Sequence, residues 1–367
     1  MSRQPAAVFT FFNTISGQYS FWDDFATLVG EGLRRRGIEN LRFRRGYNEQ
    51  SGEPPQNRYS TPEGSLGNLR WLRDNIRPAA ARFDKVIFHT HGHYQPILLG
   101  QEVWRHRRAR WFWTEHRISD PGRLDWAKKA VREVGQGLRV LPHRMYGVSE
   151  AGATRLRQQF RNASVRCIRT GIRLRPDARP KVVTPGFKPT HGLFVGRLIE
   201  EKGFWTLLRA YELLAARCVD ATLTIVGPGP LEEIGKFLTE NGLEGRVRVA
   251  GYQKDPGPFY ERADFVIIPT LVAEALGMVS LEARMYGLPV IYARRGGLPE
   301  TQVEGTTGIA LASVTAEEIA AKVVELQARP DRYAEMSRAA PAGLEAYTID
   351  RMIESYVEDY VEALAAM

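Results

Sequence analysis

Short apolar runs alternate with amphipathic segments along almost the whole chain, and this rhythm narrows the fold more than any other feature. "AVFTFF", the segment Phe21 to Arg36, "NLRFRR", a stretch around Gly67 to Asn75, "KVIFHTH", the stretch near Leu98 to Arg108, "RWFWTEH" and "MYGVSE" read as alternating strands and helices. Such alternation implies parallel βαβ units in a doubly wound α/β sheet. Between Leu174 and Pro189, the prolines Pro176, Pro180, Pro185 and Pro189 interrupt both periodicities, which predicts an interdomain linker. The alternation resumes from Gly192 to about Leu311, with helices after Ala316 and after Thr348. A length of 367 residues accommodates two domains of ordinary size.

The chemistry concentrates between Pro269 and Glu300. "RADFVIIPT" reads as a buried strand ending at Pro269, and "ALGMVSLEARMYG" has helical spacing and closes on Gly287. Glu274 then falls in the loop above the strand's carboxyl end. Glu282 lies eight residues on, on roughly the same side, because eight residues advance ~800° around a helix. Gly277, between them, lets a ligand approach the unpaired first amides of the helix, those of Met278 and Val279.

This stretch resembles the donor motif of the retaining, family-four glycosyltransferases of GT-B fold, in which Glu-x7-Glu precedes a Gly-Gly-Leu-Pro-Glu turn. Here that turn is Gly296, Gly297, Leu298, Pro299 and Glu300. "GLFVGRLIEEKG", with Arg197 and Lys202, and "ATLTIVGPGPLEE" are similar to the family's first two donor-domain strands and their loops, in the same order. The resemblance implies two facing Rossmann-like doubly wound domains with a C-terminal helix crossing back to the first. The expected division is an acceptor-binding domain over residues 1–175, joined by the terminal helix 346–367, and a donor-binding domain over 190–345.

It also implies the roles. Breaking the anomeric bond to a nucleoside diphosphate builds negative charge on the phosphate oxygens, and Arg197 and Lys202 are placed to meet it. Glu282 is expected on the ribose hydroxyls and Glu274 at the donor sugar ring, a carboxylate being able to accept two hydroxyl donors. The base is expected near Gly251 and Tyr252. His116, at the end of "RWFWTEH", is expected to touch the donor sugar, and Gly17 to bring backbone against phosphate or acceptor, although Ser16-Gly17-Gln18 departs from the family's paired glycines. UDP is the expected nucleotide on family frequency, with GDP second. A GT-B epimerase acting on the nucleotide sugar alone and a non-catalytic membrane-surface protein are the rival readings.

No Asp-x-Asp occurs in the chain, so the metal-bound diphosphate strategy lacks its ligands and catalysis is expected to need no metal or other cofactor. "HTHGHY" spaces His89, His91 and His93 at alternate positions, which on a strand project to one side and could hold zinc. Acceptor contact is the preferred reading.

Charge bears on the partner. Through Lys188 there are 34 Lys and Arg against 16 Asp and Glu, and beyond it 17 against 26. Clusters at Arg34 to Arg36, at Arg42, Arg44 and Arg45, and at Arg105, Arg107, Arg108 and Arg110 are interleaved with aromatics. Helix ends account for some of them. The excess predicts attraction to an anionic partner: a saccharide, lipid-linked or other anionic acceptor, and an anionic membrane surface, with no nucleic acid. A small soluble acceptor is the alternative. No run approaches the ~18 apolar residues of a membrane span. "AAVFTFF" is read as the first buried strand, giving a cytoplasmic protein that is peripheral on the inner face of the membrane. Cys167 and Cys218 make no disulfide framework and are read as core residues.

Overall fold

The computed structural model describes residues 4–15, 20–45, 58–60, 72–92, 106, 108–118, 142–161 and 163–367. Gly17, His93, Arg105, Arg107 and most of the helix expected between Leu98 and Arg108 lie outside these residues. The chain divides into two compact units, Met1–Gly171 with Ile349–Met367, and Ile172–Thr348.

The first unit runs β1 (Gln4–Ile15), α1 (Ser20–Arg34), β2 (Glu39–Arg45), β3 (Arg58–Ser60), α2 (Arg77–Ala80), β4 (Phe83–His91), β5 (Ala109–Glu115), β6 (Arg144–Gly147), α3 (Glu150–Gln159) and β7 (Ser164–Cys167). Its seven strands pair in the order β3-β2-β1-β4-β5-β6-β7, all parallel. Both faces of such a sheet must be covered, and β1 feeds both. Val8 joins Phe25, Val29 and Leu33 of α1, while Ala7, Phe9 and Phe11 join Phe43 and Phe88 on the other side. Phe11 stacks on Phe43 with centroids 4.6 Å apart. Gly147 is the last residue of β6 and must be glycine, because a Cβ there would stand 2.2 Å from the Ala153 nitrogen. Ser149 then caps α3 by accepting from the Gly152 amide at 3.1 Å.

The second unit runs β8 (His191–Val195), α4 (Phe204–Ala216), β9 (Thr222–Val226), α5 (Leu231–Glu240), β10 (Val247–Gly251), α6 (Gly257–Arg262), β11 (Phe265–Ile268), α7 (Met278–Met285), β12 (Val290–Ala293), β13 (Gly308–Leu311), α8 (Ala316–Ala328) and α9 (Pro330–Ala339). Its strands pair in the order β10-β9-β8-β11-β12-β13, again parallel. The chain reverses direction across the sheet between β8 and β11, where open α/β sheets place their ligands. The last helix, α10 (Ile349–Ala365), buries Ile353, Tyr356, Val357, Tyr360 and Leu364 in the first unit's core beside Phe25 and Val29.

Three sequence expectations change here. The proline-rich segment from Leu174 to Pro189 belongs to the second unit and is stitched to it. The Lys181 amide donates to the Tyr286 carbonyl at 2.9 Å, its ammonium donates to the Ala263 carbonyl at 2.9 Å and pairs with Asp264, and Arg175 pairs with Asp177 and Asp255. Proline removed the regular periodicity but not the packing. Arg42, counted in a basic cluster expected to attract an anionic partner, is only 6% exposed. It bonds Asn40 Oδ1 at 3.0 Å, and Asn40 in turn donates to Val8 O and Thr10 Oγ1 of β1. Cys218 is exposed, with φ 55° in the turn after α4, so it is not a core residue. Among the described residues no helix is long and apolar enough to cross a membrane.

Candidate functional site

Backbone close approach builds the site at the carboxyl ends of the second unit's central strands. The Gly196 amide donates to Val226 O at 2.9 Å and the Gly227 amide to Gly251 O at 2.8 Å. A Cβ on Gly227 would lie 1.8 Å from Gly196 O, and one on Gly203 would lie 1.8 Å from Pro269 O. Gly203 has φ 67°, so glycine is required there on both counts. The Leu271 amide donates to Glu201 O at 2.9 Å. The loop from Arg197 to Lys202 is thereby fastened to the loop that leads to Glu274.

That fastening brings Lys202 and Glu274 together. Lys202 Nζ sits 2.5 Å from Glu274 Oε1, with the two side chains 24% and 19% exposed. Glu274 is held from behind by the double-glycine turn. The Gly297 amide donates to Glu274 O at 2.8 Å, and Gly296, at φ 60°, leaves no room for a Cβ, which would stand 2.2 Å from the same oxygen. Arg197 is exposed and makes no side-chain hydrogen bond among the described residues.

Gly277 precedes α7 at φ 99°. A Cβ there would strike Leu298 at 2.5 Å, so the turn and the helix start pack directly. Met278 and Val279 open the helix, and their amides precede the first internal bond, from the Ser280 amide to Gly277 O at 3.0 Å. They are two donors without intrahelical partners, at the positive end of the helix dipole. Gly251 (φ 66°) bulges the ladder at the end of β10, and Tyr252 after it is 71% exposed, an open aromatic ring at the strand's end.

Glu282 has a partner that sequence reasoning missed. Tyr260, 1% exposed, donates its hydroxyl to Glu282 Oε2 at 2.7 Å and stacks on Tyr286 with centroids 5.3 Å apart. Burial pushes the Glu282 carboxyl above its ordinary pKa, while the Tyr260 bond and the Arg175 charge pull it back. One carboxylate oxygen is fixed and the other is left to accept. In the sequence, "PFYER" looks like an ordinary core aromatic, and no spacing rule links it to Glu282.

In the first unit, His116 follows β5 and stacks on His91, with His91 Nδ1 3.1 Å from His116 Nε2. Burial lowers its pKa to about 3, so at neutral pH it can offer a sugar hydroxyl a hydrogen bond but no charge. The "HTHGHY" reading changes. His89 is fully buried, with Nδ1 bonded to the Tyr360 hydroxyl and Nε2 to Thr114 Oγ1 at 2.8 Å, which makes it part of the core and removes it from acceptor contact. Among the described residues no group of three His, Cys, Asp or Glu could hold a metal ion.

Residues 189–329 match the family model described as Glycosyl transferases group 1. A GDP-mannose-dependent alpha-(1-6)-phosphatidylinositol monomannoside mannosyltransferase of Mycolicibacterium smegmatis is 36% identical over 154 residues, covering 40% of each chain. The lipopolysaccharide core biosynthesis glycosyltransferase LpsE of Rhizobium meliloti is 31% identical over 189 residues, 51% of this chain and 53% of that one. The chain spans less than two thirds of the length of such curated relatives, from 29% to 60%. A glycosyltransferase structure from Rickettsia africae superposes with TM-score 0.78 at 16% identity, covering 98% of this chain and 99% of that one. Anabaena HepE in complex with UDP gives 0.76 at 18% identity, covering 97% and 100%. With the two parallel sheets, these neighbours identify the two-domain α/β fold as GT-B.

Proposed function

We propose that this chain is a retaining, metal-independent glycosyltransferase that moves a sugar from a nucleoside diphosphate onto an anionic or membrane-linked acceptor in glycan or glycolipid biosynthesis. The observation that carries the proposal is the Lys202–Glu274 pair, with Glu274 held by the same double-glycine turn that packs against the start of α7, where the Met278 and Val279 amides lack intrahelical partners. A diphosphate arriving at that helix end competes with Glu274 for the ammonium. Lys202 then turns to the leaving-group oxygens, Arg197 adds a second positive charge, and the released Glu274 carboxylate is left to accept hydroxyls of the sugar ring. Glu282, with one oxygen fixed by Tyr260, accepts from the ribose, and the base lies near Gly251 and Tyr252.

The acceptor reading rests on the cationic first half of the chain, 34 basic against 16 acidic residues, and on the relatives' names, which include phosphatidylinositol monomannoside and lipopolysaccharide core. Those names put GDP-mannose beside the UDP sugars as a donor to test. Thermal unfolding with UDP-glucose, UDP-N-acetylglucosamine and GDP-mannose tests the proposal. The true donor adds ~2.7 kcal/mol of stability at ~100 times its Kd. Transfer from that donor then continues in EDTA and keeps the anomeric configuration. Stabilisation by none of them sinks the proposal, a changed sugar in donor-only incubations indicates an epimerase, and loss of transfer in EDTA restored by a divalent ion overturns metal independence.

Tyr260 acts as a positioning residue for Glu282. Tyr260→Phe keeps the ring that stacks on Tyr286 and removes only the hydroxyl that favours the ionised carboxylate. The Glu282 pKa therefore rises further above its ordinary value. As pH falls, the carboxylate protonates sooner than in the parent, so the acid limb of donor binding moves to higher pH, and donor affinity at neutral pH falls about three- to tenfold. An acid limb that stays in place in a folded Tyr260→Phe protein contradicts this role.

A further inference from the structure

A cavity lined by several arginines lies in the second unit, away from Lys202. It has a volume of about 330 Å³ and opens at the amino ends of β8, β9 and β10, where His191, Thr224, Arg246 and Arg248 line it together with Phe259 and Arg262 of α6. The glycines that build the donor site stand at the opposite ends of these same strands.

Sheet geometry makes the cavity. On β9, Leu223 and Ile225 face the large core under α4 and α8, so Thr222 and Thr224 project to the other face. That face is covered at this edge by α6, only six residues long, and β10 is the outermost strand. A parallel sheet normally buries apolar side chains on both faces. Here the register pairs Thr224 with Arg248, and His191 bonds both threonines, Thr222 Oγ1 at 2.8 Å and Thr224 Oγ1 at 3.1 Å. The wall is thus a fixed polar surface.

Its charge is one-sided. Arg246 is anchored by the Val219 carbonyl at 2.6 Å. Arg248 and Arg262 are exposed and have no hydrogen-bond or ion-pair partner among the described residues. Of the residues that line the cavity one is acidic, Glu244, which accepts from the Thr239 hydroxyl at 2.8 Å, and Asp264 stands behind His191, accepting from its amide at 2.8 Å. Three arginines therefore line one hollow, in a part of the chain where acids outnumber bases 26 to 17. Arginine on an edge strand also guards against sheet extension, which accounts for Arg248. It does not account for Arg262, which comes from a helix, or for the hollow between them. Guanidinium groups converging from separate elements suit the several oxygens of a phosphate, Phe259 offers an apolar wall to the rest of a small ligand, and the volume lies at the small end of ligand sites.

We propose that this cavity binds a small soluble phosphate monoester at a site separate from the donor's. The probes are inorganic phosphate and glycerol 3-phosphate, measured by equilibrium dialysis against the full chain. The expected result is saturable binding that weakens at least about tenfold in R248S/R262S and persists in K202A. Both arginines are exposed, so the substitutions leave the core intact. Far-UV circular dichroism checks this, and R262S alone serves if the double variant does not fold. Absence of saturable binding at millimolar concentrations overturns the proposal, as does unchanged affinity in R248S/R262S. Loss of binding in K202A with retention in R248S/R262S assigns the phosphate to the donor loop and also overturns it. Arginine-dependent binding to phosphatidic acid vesicles without binding of either soluble probe replaces the metabolite with a lipid headgroup, and the proposal fails.

Discussion

Lys202→Ala lowers the rate of sugar transfer by about 10²-fold or more while the protein stays folded. Removing one preformed charge from a developing oxyanion costs about 2.7–4 kcal/mol of transition-state stabilisation, and Lys202 stands where the proposed diphosphate leaves. Its turn does not depend on its ammonium. The Lys202 amide donates to Ile199 O at 3.1 Å, the Gly203 amide to Glu200 O at 2.7 Å and the Leu271 amide to Glu201 O at 2.9 Å, so the loop keeps its shape in the variant. Glu274 loses its counter-ion, and at 19% exposure water replaces part of that loss. Lys202→Arg restores charge but spreads it over a planar fork too large for a 2.5 Å contact, so it recovers only part of the rate. Single-turnover rates with saturating donor read the effect. A folded Lys202→Ala protein within threefold of the parent rate removes Lys202 from leaving-group stabilisation.

Features that depend on neighbours along the chain were legible in the sequence. The strand–helix rhythm gave two parallel sheets. Gly277, read as letting a ligand approach the helix start, and Gly296, placed in a turn by the family resemblance, both adopt positive φ. What stayed hidden depends on partners far apart in the chain. Lys202 and Glu274 were each picked out, yet nothing in their spacing says that they touch across 72 positions. Tyr260 was hidden because a buried tyrosine reads as packing until its hydroxyl is seen on Glu282. His89 was misread as a contact residue because alternation tells which residues share a face but not what covers that face, and Tyr356 and Tyr360 of α10 cover it. Arg42 was misread in the same way: a charged residue on a strand counts as solvated unless its side-chain acceptors are known. The cavity at the amino ends of β8–β10 was invisible for a related reason. "RVRVAG" gives the alternation of an edge strand, and only the shortness of α6 leaves its arginines facing a hollow.

Asp359→Ala destabilises the first unit by about 3 kcal/mol, because this side chain is the anchor of the terminal helix. In the sequence it interrupts the apolar stripe of α10 and passes for a solvated charge, but it is 4% exposed. The Tyr146 hydroxyl donates to Oδ2, Arg144 stands 2.7 Å from Oδ1, and Arg166 pairs with the same oxygen. Breaking a buried pair from one side costs about 3–5 kcal/mol, since the remaining charge stays desolvated. The low end applies here: Arg144 is 15% exposed, but Arg166 is 40% exposed and regains water, so its share is small. Tyr146 is fully buried, and burial together with Asp359 raises its pKa well above the ordinary value. It therefore remains a hydroxyl donor, and in the variant it has no acceptor there. For a domain of this size each kcal/mol moves the melting temperature by about 2–4 °C, so the first unit melts about 6–12 °C lower. Asp359→Asn keeps an acceptor for Tyr146 and the side-chain volume while removing the charge, and it costs less than the alanine variant. Calorimetry that resolves the two units checks both, with the second unit's transition expected to stay in place. If Asp359→Ala melts within about 1 °C of the parent, the helix is held by its apolar stripe alone and the ion pairs contribute nothing measurable.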